Sequence, residues 1–420
     1  MVVRRLKNLL APIVLPAESA FWRSVGRLRR LRRSGATVET DLSTFLDVPP
    51  GQASVITPAG VNVSGQRRLA RLRVGRGPLT CRVEPDALFV PLPQGCSAFT
   101  HHGLYDAAGA LIPESCVYRG VDSSQRMTVD QGGRLPVGAD VDSSDEAVIY
   151  LGFLVDHYGH FLTECLARVW YALDERPDLR LLAHGAAATT YARRLFAALD
   201  IRPDRFVVPD RATRFRQVHI PQPTFVERFM LHERHLAVTR RAARRILEGE
   251  TLQPSAQPVY LSRARLGVHP RKLYGEVSLI RHLRRAGVLI VDPQDLDLEQ
   301  QVRLFNEHEV IIGPIGSAHH TTALALAPRH HVYLCNWASE NFVLFDLLTG
   351  NRAHYLQLTP PVRSLQRKPN HLLDVALTLS VLRDLGVIPT RNRPGAGRRP
   401  APPGRLPGLG DEGDLLVDMD

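Results

Sequence analysis

Val310-Ile311-Ile312-Gly313-Pro314-Ile315-Gly316-Ser317-Ala318 runs from an apolar strand pattern through a turn with two glycines into the start of a helix. Glycine lets backbone amides approach an anion closely, and a helix N-terminus favours negative charge, so the turn reads as a cradle for a diphosphate, with Ser317 placed to cap the helix. The same residues would also serve as a plain strand-to-helix connection. Working outward, the pattern repeats. Strands are predicted over 259–262, 288–291, 310–313, 331–335 and 353–356, with helical patterns over 276–286, 297–307, 317–326 and 341–349 between them. Strict alternation predicts a parallel sheet covered by helices on both faces, whose ligands sit beyond the carboxyl ends of the strands.

The turn is neither a dinucleotide fingerprint nor a phosphate loop with its lysine, because the Gly-x-Gly-x-x-Gly spacing and the Gly-Lys-Ser/Thr ending are both missing. Arg263 follows the first strand in Leu261-Ser262-Arg263, where a guanidinium can grip phosphate oxygens bidentately; a surface arginine is the alternative. Glu299 and Gln300, on the helix leading into the central strand, are placed either to hold a ribose or to face water.

A second strand-to-helix junction lies upstream. Ala147 to Phe153 is strand-like, and 158–173 is strongly helical. Residues three and four apart share a helix face, so His160 and Glu164 are expected to hydrogen-bond, with His157 near them. A histidine oriented by a carboxylate is a workable general base toward a hydroxyl group. The same three side chains are also a metal-ligand set, or a satisfied polar cluster at a helix start. Arg168, four residues beyond Glu164, is expected to pair with it.

Composition bounds the rest. With 420 residues, 44% of them hydrophobic, the chain can bury at least one full core, and no fixed-period repeat appears. The formal charge of +11 is concentrated before residue 35, where nine basic residues meet one acid. Only three of the 53 basic residues are lysines, and no nucleic-acid module is recognisable, so a nucleic-acid partner is not expected. The arm, with Leu9, Leu10, Phe21 and Trp22, can adsorb to an anionic membrane surface or stand as a solvated extension. Five cysteines without paired close spacing fit a reducing compartment. No stretch has the length of a membrane-spanning helix; a short leader cleaved near residues 17–20 is the alternative reading of the start.

Asp156 through Trp170 and Val310 through Pro328, taken with Tyr260-Leu261-Ser262-Arg263, Pro293-Gln294-Asp295-Leu296 and Glu299 through Phe305 in that order, resemble the family 61 glycosyltransferases over about residues 147–360. The resemblance implies an α/β fold of GT-B type, two Rossmann-like lobes facing a cleft. The corresponding layout is a basic amphipathic arm at 1–44, a β-rich N-terminal region at 45–146, an acceptor-side lobe at 147–253, a donor lobe at 254–385 and a disordered tail at 386–420. It further implies inverting transfer from a nucleotide sugar, with a UDP-sugar favoured, to a glycan or lipid-linked glycan, as in bacterial surface polysaccharide assembly. By that likeness His160 and Glu164 are catalytic, and Arg263, Gly313, Gly316, Ser317 and His320 bind the donor, with Glu299 and Gln300 beside them. His157 and Arg168 are candidates on the acceptor side.

This chain departs from the family's pattern at Ile315, where many relatives carry His, at Thr321, where many carry Asn, and at His157, a place often held by Asn. Those departures keep open a catalytically inactive, sugar-binding scaffold protein. No Asp-x-Asp stands near the cradle, so no divalent metal is expected as cofactor. The expected location is the cytoplasm, with peripheral contact to the inner face of the plasma membrane through residues 1–35.

Overall fold

The computed structural model describes residues 38–41, 52–57, 66–91, 103–120, 125–126, 141–185, 188–266, 273–335, 338–357 and 371–390. The basic arm at 1–35, Cys96 and the tail from 391 lie outside them. Among the described residues, no helix is long and apolar enough to cross a membrane.

The alternating C-terminal pattern forms five strands, Val259–Leu261, Leu289–Val291, Val310–Pro314, His330–Cys335 and Arg352–Gln357. All are parallel, and they lie across the sheet in the order second, first, third, fourth, fifth. Helices Glu276–Arg285, Leu298–Glu307 and Glu340–Thr349 and the 3-10 helix Ser317–Leu324 connect them. Successive strand residues point to opposite faces. Thus Tyr333, Cys335 and Tyr355 pack with Phe342 and Phe345, while Val332, Leu334 and Leu356 pack with Leu279 and Leu283. Burial on both faces is what a parallel sheet requires.

Two further strands complete this sheet from far upstream. Ala53–Thr57 runs parallel to Arg352–Gln357, and Val38–Asp41 pairs antiparallel with Ala53–Thr57. Cys81–Phe89 and Leu104–Tyr105 join a different sheet. The segment 45–146, expected as a region of its own, is therefore shared between two sheets. At the other end, Val387 and Ile388 are buried with Leu382 in the same core, so packed chain continues past residue 385.

The second sheet has six strands in the order Phe206–Val207, Arg180–His184, Asp142–Phe153, Thr213–Pro221, Cys81–Phe89, Leu104–Tyr105. The first four are parallel, and Cys81–Phe89 runs antiparallel to its neighbours on both sides. In chain order the parallel strands read third, second, first, fourth. Both sheets thus reverse direction of winding beside their first strand, and the crevice at such a reversal is where open α/β sheets bind ligands. One crevice opens after Phe153 and the other after Leu261 and Pro314.

The continuous helix expected over 158–173 is interrupted. A helical turn at Tyr158–His160 passes into a π-helical turn at Phe161–Cys165, and regular helix resumes only at Val169–Asp174. The Thr163 hydroxyl donates to the Gly159 carbonyl at 3.0 Å, a side-chain bond that competes with the regular ladder. Such π turns recur at functional sites. Helix Glu233–Ile246 buries Leu236, Val238, Thr239, Ala242 and Ala243. Its Thr239 hydroxyl and Arg240 guanidinium donate to the Ala323 and Ala325 carbonyls, at 2.6 and 3.1 Å.

Candidate active site

His157 ends the extended segment and caps the turn, its Nδ1 accepting from the His160 amide at 3.5 Å. One turn on, His160 Nδ1 and Glu164 Oε2 stand 2.6 Å apart, the pair expected from their spacing. A carboxylate can only accept, so Nδ1 carries the proton and Nε2 is the basic position of the ring.

Glu164 has a second partner that its own helix does not supply. Arg119, on the short strand Tyr118–Arg119, donates to Glu164 through Nε at 3.0 Å and through Nη2 at 3.0 and 2.7 Å. Burial pushes the Glu164 carboxyl up, but the hydrogen bonds from His160 and Arg119 outweigh it and hold the group below the usual carboxylate range. The same Arg119 Nε lies 2.6 Å from Glu227 Oε2. That contact is an ion pair by distance without hydrogen-bond alignment, since the same oxygen finds no aligned donor. Burial holds Glu227 above the usual range.

Ligand atoms of His160, Glu164 and Glu227 all lie within 4.8 Å of one another, a spacing that a divalent cation can bridge. The Arg119 guanidinium contacts both carboxylates, so the cluster has a resident cation of its own.

The expected Glu164–Arg168 pair does not form. Arg168 falls in the turn between the two helical segments, where regular i,i+4 geometry no longer holds, and it points inward. At 4% exposure it donates to the carbonyls of Pro221 and Glu114, both at 3.0 Å, and burial pushes its pKa down. It ties the end of strand Thr213–Pro221 to the 3-10 turn Pro113–Ser115.

In the other crevice, the Arg263 amide donates to Glu276 Oε1 at 2.7 Å, and the Tyr260 hydroxyl donates to the same oxygen at 3.1 Å. Glu276, 3% exposed and raised by its burial, thereby sets the turn that carries Arg263. A Cβ on Gly316 would overlap the Arg263 guanidinium, and one on Gly313 would stand 2.9 Å from the Leu261 carbonyl. Both glycines answer to close approach. Gly316, not Ser317, holds the cap position, the helix is 3-10 from its first residue, and no side chain caps it.

The side chains of Glu299 and Gln300 have structural partners. Glu299 forms an ion pair with Arg194. Gln300 closes a capping box with Asp297, accepting from its amide at 3.0 Å while Asp297 accepts from the Gln300 amide at 2.7 Å.

The two strand-to-helix turns meet. A Cβ on Gly159 would stand 2.8 Å from His320 Nδ1 and 3.5 Å from the Ser317 Cα, and the Tyr158 and Thr321 hydroxyls lie 2.9 Å apart. The His320 ring packs 4.4 Å from that of Phe342, and burial pushes it to about 3, so it is neutral. The histidine–carboxylate pair and the arginine-covered glycine turn are therefore neighbours, joined through Tyr158 and Gly159.

Residues 158–333 match the family model Glycosyltransferase 61. The match indicates a glycosyltransferase, an enzyme class that in general takes a nucleotide-sugar donor and a glycan acceptor. No curated protein matches the chain. In this glycosyltransferase His160, Glu164, Glu227, Arg263, Gly316 and Ser317 fall inside the matched span, while His157 and Arg119 fall outside it. Arg119 carried no local signal in the sequence: it reaches Glu164 across 45 positions, from a segment without a recognisable pattern.

Proposed function

We propose that this chain is an inverting glycosyltransferase of GT-B-like arrangement that moves a sugar from a nucleotide sugar, a UDP-sugar being favoured, to a hydroxyl of a glycan or lipid-linked glycan in bacterial surface polysaccharide assembly. The observation that carries this reading is the packing of Gly159 against Ser317 and His320, which sets a histidine base beside an arginine-covered glycine turn. His160 takes the acceptor's proton on Nε2, while Nδ1–H stays on the Glu164 carboxylate. The acceptor oxygen forms its bond to the anomeric carbon as the bond to the diphosphate breaks, and the electron pair leaves on the diphosphate. Arg263 and the amides at Gly316 and Ser317 are the donors aimed at that charge.

With Arg119 as the cation among the carboxylates, the transfer is proposed to proceed without a divalent metal. We place the enzyme in the cytoplasm, touching the inner face of the plasma membrane through residues 1–35.

The test is a thermal-shift screen of UDP-, GDP-, CMP- and dTDP-sugars on the intact chain and on Arg263→Ala. A ligand that binds only the folded state raises its apparent stability. A shift with one nucleotide class that is lost in the variant supports the reading. A well-folded chain that responds to none of them, with or without glycan acceptors, overturns it. Turnover abolished by a chelator and restored by Mn²⁺ would remove the metal-free mechanism.

A further inference from the structure

A guanidinium bound to Glu164 poses a difficulty for the mechanism above, on which this inference rests. A carboxylate supports the imidazolium formed during proton transfer through its negative charge, and Arg119 cancels that charge at 2.7 Å. Glu227 restores it. Its carboxylate lies 2.6 Å from Arg119 Nε and within 4.8 Å of the His160 ligand nitrogen. Counting these side chains alone, with His160 neutral, Glu164, Arg119 and Glu227 sum to one negative charge, which uptake of the acceptor's proton cancels. Without Glu227 the same step would run from neutral to positive, in a site whose side chains are only 13–22% exposed. Arg228 adds a positive neighbour on the Glu227 side.

The backbone here is arranged for this contact. Gly120 donates its amide to the Glu227 carbonyl at 2.9 Å, and Arg119 and Glu227 form a parallel bridge, so the two side chains are set from paired backbones. Arg228, next in the chain, has φ of 60°, a left-handed conformation that a bulky residue rarely adopts, and its amide donates to Asn341 Oδ1 at 2.7 Å. Local strain of this kind persists where surrounding structure over-determines it, and it clusters at functional sites.

We propose that Glu227 is a positioning residue of the transfer, which neutralises Arg119 and so leaves the charge of Glu164 to support the imidazolium form of His160. Its counterpart Arg119 keeps the two carboxylates together and fixes the Glu164 oxygens toward the ring.

The test compares the native chain, Glu227→Gln and Glu227→Asp. With the nucleotide sugar that gives the largest thermal shift, kcat falls about tenfold or more in Glu227→Gln, as expected for a weakened general base. KM for the donor stays within about twofold, and Glu227→Asp recovers part of the loss. Independently of any substrate, the Arg119 side-chain ¹⁵N–¹H NMR signal, sharp and protected from exchange in the native chain, broadens or moves in Glu227→Gln and returns in Glu227→Asp. Native kcat in Glu227→Gln overturns the proposal, and so does an Arg119 signal indifferent to the substitution. A native chain that turns over no nucleotide sugar defeats the reading of the reaction, while the NMR comparison still decides whether Glu227 holds Arg119.

Discussion

Gly316→Ala separates binding from folding at the donor turn. The φ of Gly316 is 172°, extended backbone that alanine adopts without strain, and the atoms its Cβ would meet belong to the Arg263 guanidinium, the flexible end of a long side chain. The guanidinium can swing away, so stability should change by less than about 1 kcal/mol, with the lower entropy of the unfolded chain acting in alanine's favour. Donor binding is different, because the displaced guanidinium is the one placed over the turn. Losing a hydrogen bond to a charged group costs about 1.5–3 kcal/mol, which is about 10- to 150-fold in Kd. The assay is isothermal titration of the best nucleoside diphosphate into the native chain, Gly316→Ala, Arg263→Ala and the double variant. Since both single changes remove one interaction, the double variant should bind no more weakly than Arg263→Ala. Fully additive losses, or native affinity in a well-folded Gly316→Ala, would refute the reasoning.

Three further outcomes are expected. His160→Ala and Glu164→Gln should each lower turnover by about 10²- to 10⁴-fold, with the double variant little worse; native turnover in either removes the assignment. Gly159→Ala places a Cβ 2.8 Å from His320 Nδ1 and 3.5 Å from the Ser317 Cα, so urea unfolding should reveal a loss of about 1–3 kcal/mol together with reduced turnover. Stability should also fall on acidification. Burial pushes His320, His330 and His331 to about 3 and His235 to about 4, from 6.5, so the unfolded chain binds more protons as pH drops below 6.5 and the stability they contribute is lost toward those lower values. At pH 5 this is roughly 2 kcal/mol for each of the four. Asp346, pushed up by burial to about 7, acts in the opposite sense and returns roughly 2 kcal/mol between pH 7 and 5. The four histidines outweigh Asp346, so the net is a loss, to be read from urea midpoints; a midpoint that does not fall between pH 7 and 5 contradicts it.

Local periodicity made some features legible in the sequence and left others hidden. The five strands from Val259 to Gln357 are short apolar runs between helical patterns, and each lies within a residue or two of its expected position. The His160–Glu164 bond follows from two residues four apart on one helical face. Arg119 and Glu227 reach Glu164 because a parallel bridge brings 119 beside 227, a pairing made by tertiary packing with no pattern in either segment. Spacing alone misplaced Arg168, since a π turn ahead of it breaks the regular helix. The partners of Glu299 and Gln300, Arg194 and Asp297, were not legible in it either. The helix start at Ser317 was legible, but its 3-10 form and the cap position of Gly316 were not.

The strand Ala53–Thr57 has a bearing on how the molecule comes to be made. Its partner is Arg352–Gln357, and Ser54 and His354, 300 positions apart, hydrogen-bond at 2.7 Å. A ribosome delivers the first of these strands long before the second, so Val55 and Ile56, both buried in the finished sheet, must wait through most of synthesis without their neighbour. Contacts of such high sequence separation form slowly, because the long loop must close before the pairing rewards it. Refolding from denaturant should therefore have a late phase in which the edge of Arg352–Gln357 is capped, and until then that edge is the place where two immature chains would most readily pair with each other.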